Sequence, residues 1–169
     1  MFNSVDGSTV LGKIAYKIAV ISDTHHDLIR LEKILPIINS ADYLVFCGDG
    51  LADIMMARGR ITVPIVCVKG NNDVGLNVPV SDLASVAFGQ TKALVTHGHK
   101  IDVRKGIGNL LGMAIMKECR LVFFGHTHTY MDFVNSGVHF INPGALCMGS
   151  YALVVGDGVN FVSRQCIIN

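Results

Sequence analysis

The chain has 169 residues, of which 50% are hydrophobic and 16% are charged, and its formal net charge at pH 7 is +1. This length predicts one domain with a substantial buried core, and the composition argues against disorder. The near-neutral charge indicates no extended nucleic-acid surface and no electrostatic attachment to an anionic membrane. A small phosphate ester could still bind locally.

The cysteines are odd in number and form no C-x-x-C pair: Cys47, Cys67, Cys119, Cys147 and Cys166. A disulfide scaffold is therefore disfavoured, and a reducing cytoplasm is the compartment that we expect. No apolar run approaches the roughly 20 residues that a bilayer-spanning helix needs. Lys13 and Lys17 interrupt the apolar residues near the N-terminus, which argues against a signal peptide.

In chain order, residues 1–16 are expected to be a flexible extension, with an edge strand over Val10–Tyr16 as the alternative, and residues 17–169 form the single domain. Strongly apolar runs predict the first strands, and the spacing of apolar residues predicts a helix over Leu28–Asn39 that Pro36 could kink or shorten. The predicted elements of this half are the strand Lys17–Ser22, the helix Leu28–Asn39, the strand Tyr43–Cys47, the short helix Ala52–Arg58 and the strand Ile65–Val68.

Residues 74–91 have weak periodicity and are predicted to be a loop with short elements. The later predicted elements are the strand Lys92–Thr96, the helix Asn109–Cys119, the strands Leu121–Phe124 and Val138–Ile141, and a closing hairpin of Tyr151–Val155 and Val159–Ile168. Early strands alternate with helices, which predicts an α/β fold with buried strands covered by helices. Later strands lie closer together, which indicates antiparallel additions to a two-layered sheet core.

Residues with metal-binding side chains stand at the ends of the apolar strands. The run Leu121–Phe124 is followed at once by His126 and His128, and four other runs end in His, Asp or Asn in the same way. Ligands of open α/β sheets collect beyond the carboxyl ends of the strands. The candidate metal ligands are Asp23, His25, Asp49, Asn71, His97, His126 and His128.

This donor set is too large for one tetrahedral zinc ion, which takes about four ligands, and it suits two ions if one carboxylate bridges them. Two ions roughly 3.5–4 Å apart suit the hydrolysis of phosphate esters, since together they stabilise the attacking and the leaving oxygen. Nitrogen and oxygen donors without thiolates favour Mn²⁺, our first expectation, or Ni²⁺, Zn²⁺, Fe²⁺ or Co²⁺.

Five short motifs in a fixed order carry a family resemblance. They are D-x-H at Asp23 and His25, G-D at Gly48 and Asp49, G-N-x-D at Gly70, Asn71 and Asp73, H-G-H at His97 to His99, and G-H-x-H at Gly125, His126 and His128. With them the chain resembles the calcineurin-like metallophosphoesterases, and most of all their short single-domain phosphodiesterases, which are related to the retromer subunit Vps29. The resemblance covers residues 17–168 and implies a two-sheet αββα sandwich.

The resemblance also implies roles for the metal-binding residues. Asp23, His25 and His128 would hold the first ion; Asn71, His97 and His126 would hold the second; Asp49 would bridge them. A hydroxide between the ions would attack phosphorus in line. The implied activity is that of a phosphodiesterase on a small phosphate ester. A phosphomonoesterase and a non-catalytic metal-binding scaffold remain alternatives, and relatives of this type suggest a homo-oligomer.

The remaining candidate site residues differ from the family pattern or lie at its margin. His99 is expected to border the site and to contact the substrate or support a ligand. Asn72 stands where many members have a histidine, and an amide cannot act as a general acid near pH 7. We therefore expect weak catalysis on esters with poor leaving groups. Lys69, Arg104 and Lys105 lie beside the ligand loops and could contact phosphate or simply be solvated.

Overall fold

The computed structural model describes residues 15–168. Strands and helices of this region are β1 (Tyr16–Ile21), α1 (Leu28–Asn39), β2 (Tyr43–Phe46), α2 (Leu51–Ala57), β3 (Ile65–Cys67), β4 (Leu83–Phe88), β5 (Thr91–Thr96), α3 (Gly108–Met116), β6 (Leu121–Phe124), β7 (Tyr130–Asn135), β8 (Val138–Pro143), β9 (Ser150–Gly156) and β10 (Phe161–Ile167). Short 3-10 helices span Arg58–Arg60, His99–Ile101, Val103–Lys105 and Leu146–Met148.

The strands form two five-stranded sheets within the described region. The first has the order β10-β9-β1-β2-β3, and the second has the order β4-β5-β6-β8-β7. β1, β2 and β3 are parallel, as are β5, β6 and β8. The strands β9, β10, β4 and β7 are added antiparallel. The predicted α/β sandwich of two sheets is confirmed.

Alternation along the strands sends successive side chains to opposite faces of each sheet. Ile18 and Val20 of β1 pack between the sheets with Leu121 and Phe123 of β6. Their neighbours in β1, such as Ala19, point to the other face, where α1 and α2 cover the first sheet. Burial of these faces supplies the main favourable contribution to the free energy of folding.

On the second sheet, the outward residues of β6 are covered by α3. Val122 and Phe124 pack with Leu110 and Ala114 of that helix. The order of layers is therefore helix, sheet, sheet, helix, as the resemblance implies. This arrangement leaves the carboxyl ends of the parallel strands open, and the loops that follow them carry the candidate site.

Two edge strands were not predicted. β4 lies within residues 74–91, which were predicted as a loop, and β7 follows the G-H-x-H motif directly. Each pairs with one neighbour only and has several exposed residues, so neither shows the continuous apolar run of a buried strand. α1 has the predicted bounds and continues through Pro36 to Asn39, so the proline does not shorten it. α3 ends at Met116, before the predicted Cys119.

The N-terminal boundary also differs slightly from the prediction. Residues 1–14 of the predicted extension lie outside the described residues. The Ala15 N–H donates to the Gly156 carbonyl at 2.9 Å, and Tyr16 begins β1 and so belongs to the first sheet. No helix in residues 15–168 is long and apolar enough to cross a membrane. The five cysteines are free thiols, of which Cys47 and Cys119 are buried.

Candidate metal centre

The loops after β1, β2, β5 and β6 meet at one end of the sandwich, beyond the carboxyl ends of these strands. The Asp23 N–H donates to the Gly48 carbonyl at 2.9 Å, which joins the loops after β1 and β2. The Gly125 N–H donates to the His97 carbonyl at 3.2 Å, which joins the loops after β5 and β6. The His126 N–H donates to Asp23 Oδ2 at 3.2 Å and links the two sheets. Four strand ends thus supply one site.

Backbone conformation at this site is unusual for residues with side chains. Positive φ angles occur at Asp23 (54°), His25 (44°), Asp49 (62°), His126 (68°) and His128 (60°). Non-glycine residues rarely adopt this region, and each such residue costs on the order of 1–3 kcal/mol, so it persists only where the surroundings impose it. Strain concentrated on five of the seven predicted ligands indicates a functional site.

The first group of donors consists of Asp23, His25 and His128. Asp23 Oδ1 lies 3.0 Å from His128 Nε2 and 3.6 Å from His25 Nε2, and the two Nε2 atoms are 3.3 Å apart. Asp23 is fully buried, and its Oδ1 has no hydrogen-bond partner among the described residues. Its other oxygen accepts from Ser22 Oγ at 2.5 Å. A cation between these three side chains would satisfy an otherwise orphaned buried oxygen.

The second group contains Asp49, His97 and His126. His97 Nε2 lies 3.3 Å from Asp49 Oδ2 and 3.2 Å from His126 Nδ1. Its Nδ1 is 2.7 Å from the Cys47 carbonyl oxygen and donates to it, which leaves Nε2 with a free lone pair when the ring is neutral. Asp23 Oδ1 is 4.0 Å from His97 Nε2, so Asp23 lies next to both groups.

Charges within the site shift the pKa values of its residues in opposite directions. Burial raises the pKa of Asp49, but hydrogen bonds from His97 and Asn72 outweigh burial and hold that pKa well below its usual range. Burial lowers the pKa of His97, but the Asp49 and Asp23 carboxylates raise it overall. The pKa of His126 is lowered by burial and by the charges of His97 and Arg104. Two buried carboxylates therefore give the site a strong preference for positive charge.

Two adjacent asparagines take different places in the structure. The Asn72 side chain donates from Nδ2 to Asp49 Oδ2 at 2.6 Å, and its N–H donates to Asp49 Oδ1 at 2.8 Å. The Asn71 side chain is exposed and makes no hydrogen bond with any other predicted ligand. The contacts described above bring six of the seven predicted ligands together, and none of them involves the exposed Asn71 side chain.

His99 borders the second donor group. Its ring centroid lies 5.4 Å from that of His97 and 6.3 Å from that of His126. Its buried Nδ1 has no hydrogen-bond partner within residues 15–168. The pKa of His99 is lowered by burial and by the nearby charge of His97. The His99 ring is thus half-buried beside the second donor group, with its Nδ1 atom closed to solvent.

Three buried residues that hold the ligand loops were not predicted to have this role. The Asp73 carboxylate accepts four backbone N–H groups, from Asp49, Gly50, Leu51 and Gly70. Asn142 Nδ2 donates to the Gly125 carbonyl at 2.9 Å and to Thr127 Oγ1 at 3.1 Å, which fixes the loop between the two histidines. Asp53 accepts from Thr24 Oγ1 and from the His26 N–H. The G-N-x-D motif contains Asp73 but does not show its partners, and none of the five motifs contains Asn142.

A family model and two relatives of known sequence match this chain. The model of the calcineurin-like phosphoesterase superfamily domain matches residues 16–155. A phosphodiesterase of Methanocaldococcus jannaschii is 29% identical over 147 residues, which are 78% of this chain and 84% of that protein. A probable metallophosphoesterase of Bacillus subtilis is 30% identical over 134 residues, which are 76% of this chain and 74% of that protein.

Solved structures show the same fold. An archaeal phosphodiesterase superposes with a TM-score of 0.71 at 25% identity, covering 90% of this chain and 99% of that one. Vacuolar protein sorting 29 of Cryptosporidium parvum has a TM-score of 0.71 at 17% identity, covering 92% of this chain and 100% of that one, and this likeness concerns the fold alone. From the family match and the fold together, the chain belongs to the calcineurin-like phosphoesterase superfamily.

Proposed function

We propose that the chain is a phosphodiesterase that depends on two divalent metal ions. The observation that carries this proposal is the Oδ1 atom of Asp23, which is buried, has no hydrogen bond among the described residues and faces three histidine rings. A buried carboxylate oxygen without a partner is strongly unfavourable. A divalent cation held with the imidazoles offsets this cost, and the donor chemistry fits it.

The two groups of donors suggest how the ions are divided. Asp23, His25 and His128 would hold one ion, and His97 with His126 would hold the other, with Asp49 between them. Asn71 would complete the second set. Nitrogen and oxygen donors without thiolate suit Mn²⁺, which we propose, and equally accept Ni²⁺, Zn²⁺, Fe²⁺ or Co²⁺.

When bound, the two ions would supply Lewis-acid chemistry, which polarises phosphoryl oxygens and lowers the pKa of water. The residues of the chain position this chemistry. The Cys47 carbonyl sets the tautomer of His97, and the Asp73 and Asn142 hydrogen bonds fix the loops that carry Asp49 and His126. A rigid donor set has little conformational entropy to lose when metal and substrate bind.

Proton transfer to the leaving group is the step that this chain supports weakly. Asn72 has no titratable proton near pH 7, and its amide is engaged with the Asp49 carboxylate. Esters with good leaving groups, such as aryl diesters, need no such acid. The name of one relative also supports the diester: the protein from Methanocaldococcus jannaschii is a phosphodiesterase.

Hydrolysis of bis-p-nitrophenyl phosphate and of p-nitrophenyl phosphate tests the proposal. Metal-stripped protein would be assayed with Mn²⁺, Ni²⁺ or Zn²⁺ added back. Asp49→Ala removes a central carboxylate, and Glu32→Ala is the matched control, because Glu32 is a surface carboxylate of α1 that pairs with Arg60. We expect metal-dependent cleavage of the diester by the wild type and by Glu32→Ala, with a loss of at least about 100-fold in Asp49→Ala.

Each other outcome has a distinct meaning. Cleavage of the monoester alone would replace the diesterase by a phosphomonoesterase at the same site. Absence of both activities, in protein shown by metal analysis to hold two ions, would favour the non-catalytic scaffold.

A further inference from the structure

Arg104 is a cationic side chain fixed at the rim of the metal centre. It lies in the short 3-10 helix Val103–Lys105, and it donates from Nε at 3.2 Å and from Nη2 at 2.8 Å to the carbonyl oxygen of His126. Both contacts go to the backbone of a predicted metal ligand. The guanidinium is therefore held beside that ligand.

Most of the hydrogen-bonding capacity of Arg104 is unused. A guanidinium has five N–H donors, and two of them serve the His126 carbonyl, which leaves three. Within residues 15–168, Arg104 forms no ion pair with a carboxylate. Its side chain is solvent-exposed, so these donors are accessible to a bound molecule.

Neighbouring cations differ from Arg104, because each has a partner of its own. Lys105 Nζ lies 3.1 Å from Asp102 Oδ2, and Lys100 Nζ lies 2.5 Å from Asp82 Oδ2. Lys69 Nζ donates to the Leu76 carbonyl at 3.0 Å. Among the basic side chains near the ligand loops, Arg104 is thus the one held against a predicted ligand and open to an anion.

His99 also lies near His126. Its ring lies 6.3 Å, between centroids, from that of His126, whose carbonyl holds Arg104. The Nδ1 atom of His99 is buried without a hydrogen-bond partner in the described region. Because this Nδ1 atom is closed to solvent, contact with a bound anion falls to Arg104.

We propose that Arg104 forms an anion subsite that binds a second phosphoryl group of the substrate, next to the phosphoryl group at the metal centre. Guanidinium groups bind phosphate through paired, charge-assisted hydrogen bonds, which favours this ligand over a neutral one. Ligands with a diphosphate link, such as nucleoside diphosphates and their esters, would be preferred to those with one phosphate. This subsite rests on the proposed function, because it places the first phosphoryl group at the metal ions.

Affinities for ADP and AMP measure the contribution of the second phosphate directly. Both would be tested as inhibitors of bis-p-nitrophenyl phosphate hydrolysis with Mn²⁺ in large excess over nucleotide. Equilibrium dialysis of radiolabelled nucleotide against Mn²⁺-loaded protein gives a readout that needs no activity. We expect the wild type to bind ADP about tenfold more tightly than AMP. In Arg104→Gln the ratio of the ADP affinity to the AMP affinity should fall to about one.

Lys105→Gln is the matched control, since it removes a positive charge from the next residue, which is paired with Asp102. Its ADP-to-AMP ratio and its diester hydrolysis should equal those of the wild type. Arg104→Lys keeps the charge without the planar fork, and its ratio should lie between those of the wild type and Arg104→Gln. That variant preserves the test if Arg104→Gln does not fold.

If Arg104 had a purely structural role through the His126 carbonyl, Arg104→Gln would weaken the binding of ADP and AMP equally and leave their affinity ratio unchanged. That result, or equal affinities in the wild type, would overturn the subsite. An Arg104-dependent preference in dialysis without any diester hydrolysis would support the subsite and contradict the proposed activity. Diester hydrolysis together with equal affinities for ADP and AMP would support the proposed activity and contradict the subsite.

Discussion

The buried carboxylate of Asp73 accepts the backbone N–H of Asp49 at 2.9 Å, across 24 positions of sequence. The same carboxylate accepts the N–H groups of Gly50, Leu51 and Gly70, so it joins the loop after β2 to the loop after β3. Asp49 has a φ of 62°, a conformation that needs such support. Asp73 thus determines where a predicted metal ligand lies.

Asp73→Asn replaces one of the acceptor oxygens with an NH2 group that faces backbone donors. We expect a loss of about 3 kcal/mol in the free energy of unfolding of metal-free protein and at least tenfold weaker binding of Mn²⁺. Urea unfolding and isothermal titration would measure the two effects. Asp102→Asn, at an exposed carboxylate, is the control. A change below about 0.5 kcal/mol would refute the role of Asp73.

Gly70 allows the loop after β3 to approach Asp49. A Cβ atom at position 70 would lie 2.0 Å from Asp49 Oδ1 and 2.5 Å from its backbone nitrogen, so Gly70→Ala must displace Asp49. We expect Gly70→Ala to lose at least tenfold in diester hydrolysis and in Mn²⁺ affinity.

Gly112→Ala provides the contrast, because nothing lies within 4 Å of a Cβ at that exposed position in α3. It should keep full activity and gain about 0.5–1 kcal/mol in the free energy of unfolding. Equal activities of the two alanine variants would show that the close approach at Gly70 has no functional effect.

Asn72→His restores a titratable group where many family members have one. We expect turnover of an alkyl phosphodiester to rise by about tenfold or more, since a histidine can protonate a poor leaving group. Turnover of the aryl diester should rise little. Any loss on this ester would measure the contribution of the missing amide contact with Asp49. Asn72→Gln keeps an amide without the acid and serves as the control. No gain on the alkyl ester would count against the predicted deficit.

Asp132 joins the edges of the two sheets, and its contribution to stability should depend on pH. Its Oδ1 atom lies 2.6 Å from His139 Nε2. Its Oδ2 atom accepts from Ser163 Oγ at 2.6 Å and from the Tyr130 hydroxyl at 3.5 Å. Burial raises the pKa of Asp132, but the hydrogen bonds from His139 and Ser163 lower it overall. A carboxyl with a lowered pKa in the folded state stabilises the protein above its unfolded pKa of about 3.9.

That stabilisation should disappear as the pH falls through the lowered folded-state pKa. We therefore expect Asp132→Asn to be less stable than the wild type at pH 7, with the difference shrinking below about pH 4. Urea unfolding of metal-free wild type and metal-free Asp132→Asn between about pH 3 and pH 7 would measure this difference. Titration of the metal ligands affects both proteins and so cancels in the comparison. A difference that stays constant with pH would contradict the assignment.

Much of the fold could be predicted because the central strands are buried on both faces and so appear as unbroken apolar runs. β6 was predicted with the bounds that it has, and α1 has the apolar spacing of an amphipathic helix. The edge strands β4 and β7 could not be recognised, since exposed residues interrupt their apolar pattern. The predicted homo-oligomer and the cytoplasmic location stay predictions.

The sequence by itself predicted six donors that the structure brings together, because residues such as His25, Asp49, His97 and His126 follow an apolar strand by a few residues. Only the tertiary structure decided how those donors meet, which asparagine contacts Asp49, and which buried groups hold the loops. Asp73, Asn142 and Arg104 act through backbone groups of residues distant in sequence. Backbone N–H and C=O groups are the same at every residue, so no sequence pattern shows which of them a side chain will bind until the chain path is known.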